Sequence, residues 1–185
     1  MVTAIVGTIG SGKSTVLNYL ASRGLDVLSC DEINRNLLIN EEYKRRLFRI
    51  FPDVLENGYV NKNRLSAKIF HSSADRKLLN ELSHPIIEKI LMSKILNSIN
   101  DIFIEIPLFN ILKDQAIFDR IWFVYGDNYQ LIERLIKRDN ISSDFARQKI
   151  NIQKSSAIIN DRAFYCIYNT EDIVFLENQI DNLLS

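Results

Sequence analysis

Residues 7–14 read Gly-Thr-Ile-Gly-Ser-Gly-Lys-Ser, a G-x-x-x-x-G-K-[ST] pattern between a short β-branched run and a helical one. A chain that wraps a polyphosphate must turn tightly with backbone N–H groups facing inward. Glycine permits this at positive φ, and the following helix N-terminus adds partial positive charge. In that chemistry Gly10, Ser11 and Gly12 cradle phosphate, Lys13 sits on the β and γ phosphates, Ser14 offers its hydroxyl to Mg²⁺, and Thr15, Leu17 and Leu20 anchor the helix. At average composition the pattern arises by chance in about one chain in a hundred of this length, and the strand and helix around it lower that figure. The pattern alone does not separate a kinase from a GTPase or a motor ATPase; an Asn-Lys-x-Asp base-recognition signature is absent.

Other polar residues lie where they could complete such a site. Asp31 follows Val27-Leu28-Ser29-Cys30, putting a carboxylate beyond a strand end, where it could orient an acceptor hydroxyl or take its proton. As an N-cap of the next helix it would do neither. Asp127 and Gln130 have capping-box spacing before a helix carrying Arg134 and Arg138. Like charges four apart repel, by about 0.2–0.5 kcal/mol, unless an anion lies between them; a triphosphate would be that anion, and Asp139 or Glu133 the ordinary alternative. Glu105, at the end of an apolar strand, could reach Mg²⁺ through water or pair with a base. His84 and Pro85 read as the start of a helix, where capping or surface placement explains a histidine. The run Lys44, Arg45, Arg46, Arg49 reads as a solvated face, tempered by Glu41 and Glu42, that could also meet an anion.

The elements that must position these groups follow from the hydrophobic pattern. Short β-branched runs at residues 2–6, 27–29, 102–106, 121–124 and 166–168 alternate with helical patterns at 13–22, 31–51, 64–70, 85–98, 129–138, 143–155 and 172–184. That is α/β, with a five-stranded parallel sheet. Residues 31–99 exceed what one crossover needs and read as a helical insertion over the sheet. The 185 residues fit one domain, with a core of 1–30, 100–127 and 160–185. Lys plus Arg and Asp plus Glu both number 23, so no overall field draws the chain to nucleic acid or an acidic membrane, and an anion must be held locally. Two cysteines, Cys30 and Cys166, form no disulfide framework. With neither a basic leader nor a membrane-length apolar run, the expected location is the cytoplasm.

Together these stretches resemble the dephospho-coenzyme A kinase family almost end to end. The resemblance is carried by residues 7–15; by Val27 to Asp31 with Arg35; by 65–70; by Leu82-Ser83-His84-Pro85-Ile86; by Ile104-Glu105-Ile106-Pro107-Leu108; by Arg134 with Arg138-Asp139; by Gln153; and by 162–169. It implies a three-layer P-loop kinase fold like that of adenylate kinase, with a helical acceptor-binding insertion (about 31–99) and a lid (about 134–155). It also implies transfer of the γ-phosphoryl group of ATP, with Mg²⁺, to the 3′-hydroxyl of dephospho-coenzyme A, with no obligate protein partner. On the resemblance Lys13, Asp31 and Arg138 are catalytic, with Arg138 and Arg134 closing from the lid. Arg35, His84, Pro107 and Leu108 face the acceptor and Asn169 the adenine. The chain departs from the family pattern at Ser29, which stands for the first member of an Asp-x-Asp, and at Ile111, Ile159, Asn160, Phe164 and Tyr168. Another small-molecule or nucleoside monophosphate kinase would share the loop and arginines. A slow regulatory NTPase would share the loop alone.

Overall fold

The computed structural model describes residues 1–106, 115–154 and 164–185. Its elements in chain order begin β1 (Val2–Gly7), α1 (Lys13–Ser22), β2 (Asp26–Ser29), α2 (Cys30–Leu37), α3 (Glu41–Ile50), β3 (Leu55–Glu56) and β4 (Tyr59–Val60). There follow α4 (Lys62–His71), α5 (Ser73–Asn97), β5 (Ile102–Glu105), β6 (Arg120–Tyr125), α6 (Asn128–Asp139), α7 (Ser143–Lys154), β7 (Phe164–Tyr168) and α8 (Ile173–Leu184). Two compact units result: Met1–Cys30 with Asn97–Ser185, and Asp31–Leu96.

The first unit is built on a five-stranded sheet in the order β2-β5-β1-β6-β7, with every pairing parallel. The expected α/β class is what forms. All four residues of β5 are buried, as are Thr3 to Val6 of β1, so these strands are covered on both faces, as interior parallel strands are. On one face Val16, Leu17 and Leu20 of α1 and Leu176 and Ile180 of α8 pack with Ile5, Phe103, Trp122, Val124 and Ile167. Register places Ser29 beside Glu105, Ile5 beside Glu105, Gly7 beside Val124 and Tyr125 beside Tyr168. All five C-terminal strand ends thus share one rim, and the chain reverses sides about β1, which makes that rim a topological switch point.

In the second unit the structure corrects three expectations. The pattern over 31–51 is two helices, α2 and α3, because Asn40 takes an extended backbone and its side chain accepts the Tyr43 N–H, capping α3. A hairpin, β3–β4, occupies a stretch with no strand expectation: Asn57 and Gly58 both have positive φ (50° and 81°), the two-residue turn that Asn-Gly favours. Pro85 does not open a helix but sits inside the 25-residue α5. Its missing N–H would bond the Glu81 carbonyl, and both residues are exposed. Beside it, the buried Ser83 hydroxyl donates to the Leu79 carbonyl at 2.8 Å. Its single proton is then committed, so it accepts from the Tyr43 hydroxyl, also at 2.8 Å, and this bond ties α3 to α5.

Asn40→Ala removes the cap while leaving the apolar face of α3 intact. It should lower unfolding free energy by about 1 kcal/mol in urea titration, and Asn40→Asp should restore most of that.

Candidate active site

The loop between β1 and α1 is shaped by glycine where no other residue serves. Gly12 precedes α1 in a left-handed conformation, φ 99° and ψ 20°. A Cβ there would lie 2.0 Å from the Asn169 side-chain nitrogen. Gly10 also has positive φ, 83°, and a turn is closed by the Ser11 N–H on the Thr8 carbonyl at 3.0 Å. Helices α3, α4, α6 and α8 have their first amides capped by the side chains of Asn40, Asn61, Asp127 and Asp172, whereas α1 has no side-chain cap and no acid in its first turn. The Gly12 carbonyl takes the Thr15 N–H at 2.9 Å, and the partial positive charge of the helix start lies at the loop. Lys13 is buried, and its ammonium folds back onto the Gly7 and Thr8 carbonyls at 2.9 and 3.2 Å. Ser14 and Thr15 are exposed, so both hydroxyls are open to a ligand.

Against the loop the structure brings Arg134 and Asn169, both among the expected nucleotide-site residues. Arg134 donates to the Gly10 carbonyl at 3.4 Å and to the Asn169 carbonyl at 3.1 Å. Asn169 donates its side-chain amide to the Ser11 carbonyl at 2.7 Å and its backbone N–H to Tyr125 at 2.8 Å. The buried Gly126 leaves the room: a Cβ there would meet Leu131 at 3.0 Å and the Ser11 Cα at 3.6 Å. Only half of the expected capping box forms. Asp127 accepts from the Tyr129 and Gln130 N–H groups, while the Gln130 amide turns to the Thr170 carbonyl at 3.0 Å.

The two arginines, one turn apart on α6, have different partners. Arg138, one turn beyond Arg134, is exposed and bonded to Asp139 through both Nε (2.7 Å) and Nη2 (3.2 Å). Asp139 also accepts from Lys149 of α7 at 3.0 Å. Arg138 and then Lys149 hold the Asp139 carboxyl below its usual pKa, so it is ionised throughout the neutral range.

At the opposite side of the rim, Glu105 is buried and accepts the Ser29 hydroxyl at 2.9 Å from its register partner. Asp31 comes two residues after Ser29. Because α2 begins at Cys30, Asp31 lies in the first helical turn and is not the cap, which removes the ordinary reading of that carboxylate. It is exposed, as is Arg35 four residues on, so α2 presents a carboxylate and a guanidinium on one face. His84, in mid-α5, is half-buried; burial pushes its pKa below 6.5, opposed by Glu88 one turn on, so the imidazole is neutral at pH 7. Pro107 and Leu108, with Ile111, Ile159, Asn160, Arg162 and Ala163, lie outside the described residues. Phe164 and Tyr168, where the family pattern has aspartates, make ring contacts across β6 and β7 with Phe123 (5.8 Å) and Tyr125 (5.7 Å).

Sequence reasoning missed Gly126 and the backbone role of Gln130. A glycine directly after a strand end was the available sign for the first, and the capping-box spacing of the second pointed to a different partner. Oxygen donors suited to a hard cation are present in Ser14 and Glu105. Among the described residues no three His, Cys, Asp or Glu side chains converge on a metal position. A divalent ion here would therefore rest chiefly on phosphate oxygens and water, as Mg²⁺ does in kinases.

Comparison with known proteins is consistent from end to end. Residues 1–174 match the family model described as dephospho-CoA kinase. A dephospho-CoA kinase of Helicobacter pylori strain J99 is 29% identical over 187 residues, covering 98% of this chain and 94% of that one. TT1252 from Thermus thermophilus superposes with a TM-score of 0.80 at 24% identity, over 100% of this chain and 96% of that one. The dephospho-CoA kinase from Campylobacter jejuni does so with a TM-score of 0.65 at 21% identity, over 99% and 95%. These two likenesses concern the fold.

Two outcomes follow. Gly12→Ala should abolish measurable ATP binding in calorimetry while circular dichroism stays native, because a Cβ at φ 99° also strikes the Asn169 amide. His84 takes up its proton less readily folded than unfolded, so its contribution to stability is present above pH 6.5 and lost as pH falls through its lowered pKa. Urea titrations between pH 7.5 and 5.5 should give a shallower pH slope for His84→Gln than for wild type, and an equal slope would exclude this assignment.

Proposed function

The chain belongs to the dephospho-CoA kinase family, and from that premise we propose that it transfers the γ-phosphoryl group of ATP to the 3′-hydroxyl of dephospho-coenzyme A, giving coenzyme A and ADP. One observation carries the reading: an uncapped helix N-terminus behind a glycine-bent loop, with a lysine ammonium resting on the loop's own carbonyls, in a chain that matches the family from residue 1 to residue 174.

Little covalent chemistry falls to the protein in phosphoryl transfer; positioning and charge stabilisation dominate. The loop amides and the α1 terminus hold the β and γ phosphates. Lys13 exchanges its carbonyl partners for phosphate oxygens. Asp31 orients the 3′-hydroxyl and receives its proton as the new O–P bond forms and the bond to the leaving β-phosphate oxygen breaks, while Arg35 beside it meets the acceptor's negative charge. Arg138 leaves Asp139 to neutralise the transferring oxygens when the lid closes, and Asp139 keeps Lys149 as its partner. Arg134 adds positive charge behind the loop at Gly10. On the family resemblance His84, which is neutral and half-buried, would contact the acceptor, as would Pro107 and Leu108, and Asn169 would lie toward the adenine. Mg²⁺ fits this donor set: the Ser14 hydroxyl would hold it, Glu105 would support it through water, and when bound it would neutralise charge on the phosphate oxygens. The substrates are small molecules, and we infer a cytoplasmic enzyme needing no obligate protein partner. Among the described residues no helix is long and apolar enough to cross a membrane.

ADP release with Mg-ATP should be fast with dephospho-coenzyme A and slow with AMP, CMP, UMP, dTMP or water. Equal release with water would reject a kinase; preference for a monophosphate would reject this acceptor. Asp31→Asn should lower kcat by about a hundredfold or more with ATP binding nearly unchanged, whereas full turnover would take Asp31 out of the mechanism.

A further inference from the structure

The contacts behind the phosphate loop all fall on backbone carbonyls, and a peptide unit is planar and trans, so its C=O and N–H point in opposite directions. Whatever grips a carbonyl from behind aims the N–H of the same unit forward. In the unit joining Gly10 to Ser11, Arg134 grips the oxygen at 3.4 Å and Thr8 takes the N–H at 3.0 Å, so this unit is locked at both ends. In the unit joining Ser11 to Gly12, the Asn169 amide grips the oxygen at 2.7 Å, and a planar trans unit then turns the Gly12 N–H to the side away from Asn169.

Asn169 is itself braced. Its own N–H is spent on Tyr125 at 2.8 Å, its carbonyl takes the second Arg134 nitrogen at 3.1 Å, and the next residue's carbonyl takes Gln130 at 3.0 Å. Its side-chain nitrogen also fills the space a Cβ would need at residue 12. With the side-chain amide committed to the Ser11 carbonyl, little of it is left to read a base.

We propose that Asn169, braced by Arg134 and Gln130, is a positioning residue that aims the Gly12 N–H at the nucleotide's phosphates, and so sets affinity for the polyphosphate, not the choice of base. The inference rests on the reading that this loop holds ATP and deepens it. Loss of the Asn169 amide frees the Ser11–Gly12 unit to rotate, and an ordering cost then falls on every ligand that uses that N–H, whatever base it carries.

Calorimetric titration of the full chain with ATP, GTP and inorganic tripolyphosphate separates the possibilities. Asn169→Ala should weaken all three by the same factor, roughly tenfold for one lost backbone-orienting hydrogen bond, with the ATP-to-GTP ratio unchanged. In assays it should raise KM for ATP by that factor while kcat at saturating ATP changes much less. Asn169→Ser, which keeps a small polar side chain too short to reach the Ser11 carbonyl, should behave in the same way and stands in if the alanine variant loses its native circular dichroism. A loss confined to ATP, with tripolyphosphate unaffected, would overturn the proposal in favour of base recognition. Unchanged affinity for all three would overturn it outright. Failure of the wild-type chain to bind either ATP or tripolyphosphate would instead remove the nucleotide reading on which the proposal stands.

Discussion

A backbone bent the wrong way for an L-amino acid underlies the rest of this molecule. Gly10 and Gly12 hold positive φ so that the chain leaving β1 can curl over and enter α1 with amides turned inward. Left to itself such a loop would sample many conformations. Here it is held in front by the Lys13 ammonium on two of its carbonyls and behind by Arg134 and Asn169 on two more. The parallel sheet is what makes this possible, because it brings the ends of β1, β6 and β7 to one rim, and with them the loop, Gly126 and Asn169.

The same arrangement explains how a chain with no net charge holds a strongly anionic ligand. The cations are not free surface charges. Lys13 is buried on carbonyls and Arg138 is folded onto Asp139, which Lys149 also holds. On the proposed reading a polyphosphate would exchange one set of partners for another without ordering loose side chains, which would keep the entropic cost of binding low. Lys149 is a second cation on Asp139 beside Arg138, and both hold its carboxyl in the ionised form.

The unit formed by Asp31–Leu96 is organised by a different logic. Its order comes from capped helices and from the buried Tyr43–Ser83–Leu79 chain of hydrogen bonds, which joins α3 to α5. The Ser83-His84-Pro85 motif therefore has two roles in successive residues. Ser83 is internal structure, and His84 is kept neutral by burial.

Sequence alone determined much of this. The glycine, lysine and serine spacing, the apolar strand runs and the family resemblance were enough for the α/β class, the five strands, the phosphate loop and the acceptor chemistry, because each depends on local periodicity or on contiguous residues. The split between α2 and α3 and the Asn57-Gly58 hairpin were also local, and Asn40 and the Asn-Gly pair were their visible signs. Other features were not legible at any single position. Pro85 lies in mid-helix at an exposed position, with Glu81 one turn before it exposed as well. Arg134 grips Gly10 and Asn169 grips Ser11, 124 and 158 residues apart in the chain. Which side chain reaches a given carbonyl is set by the order and register of parallel strands, and that order is fixed only when distant apolar runs pack into one core.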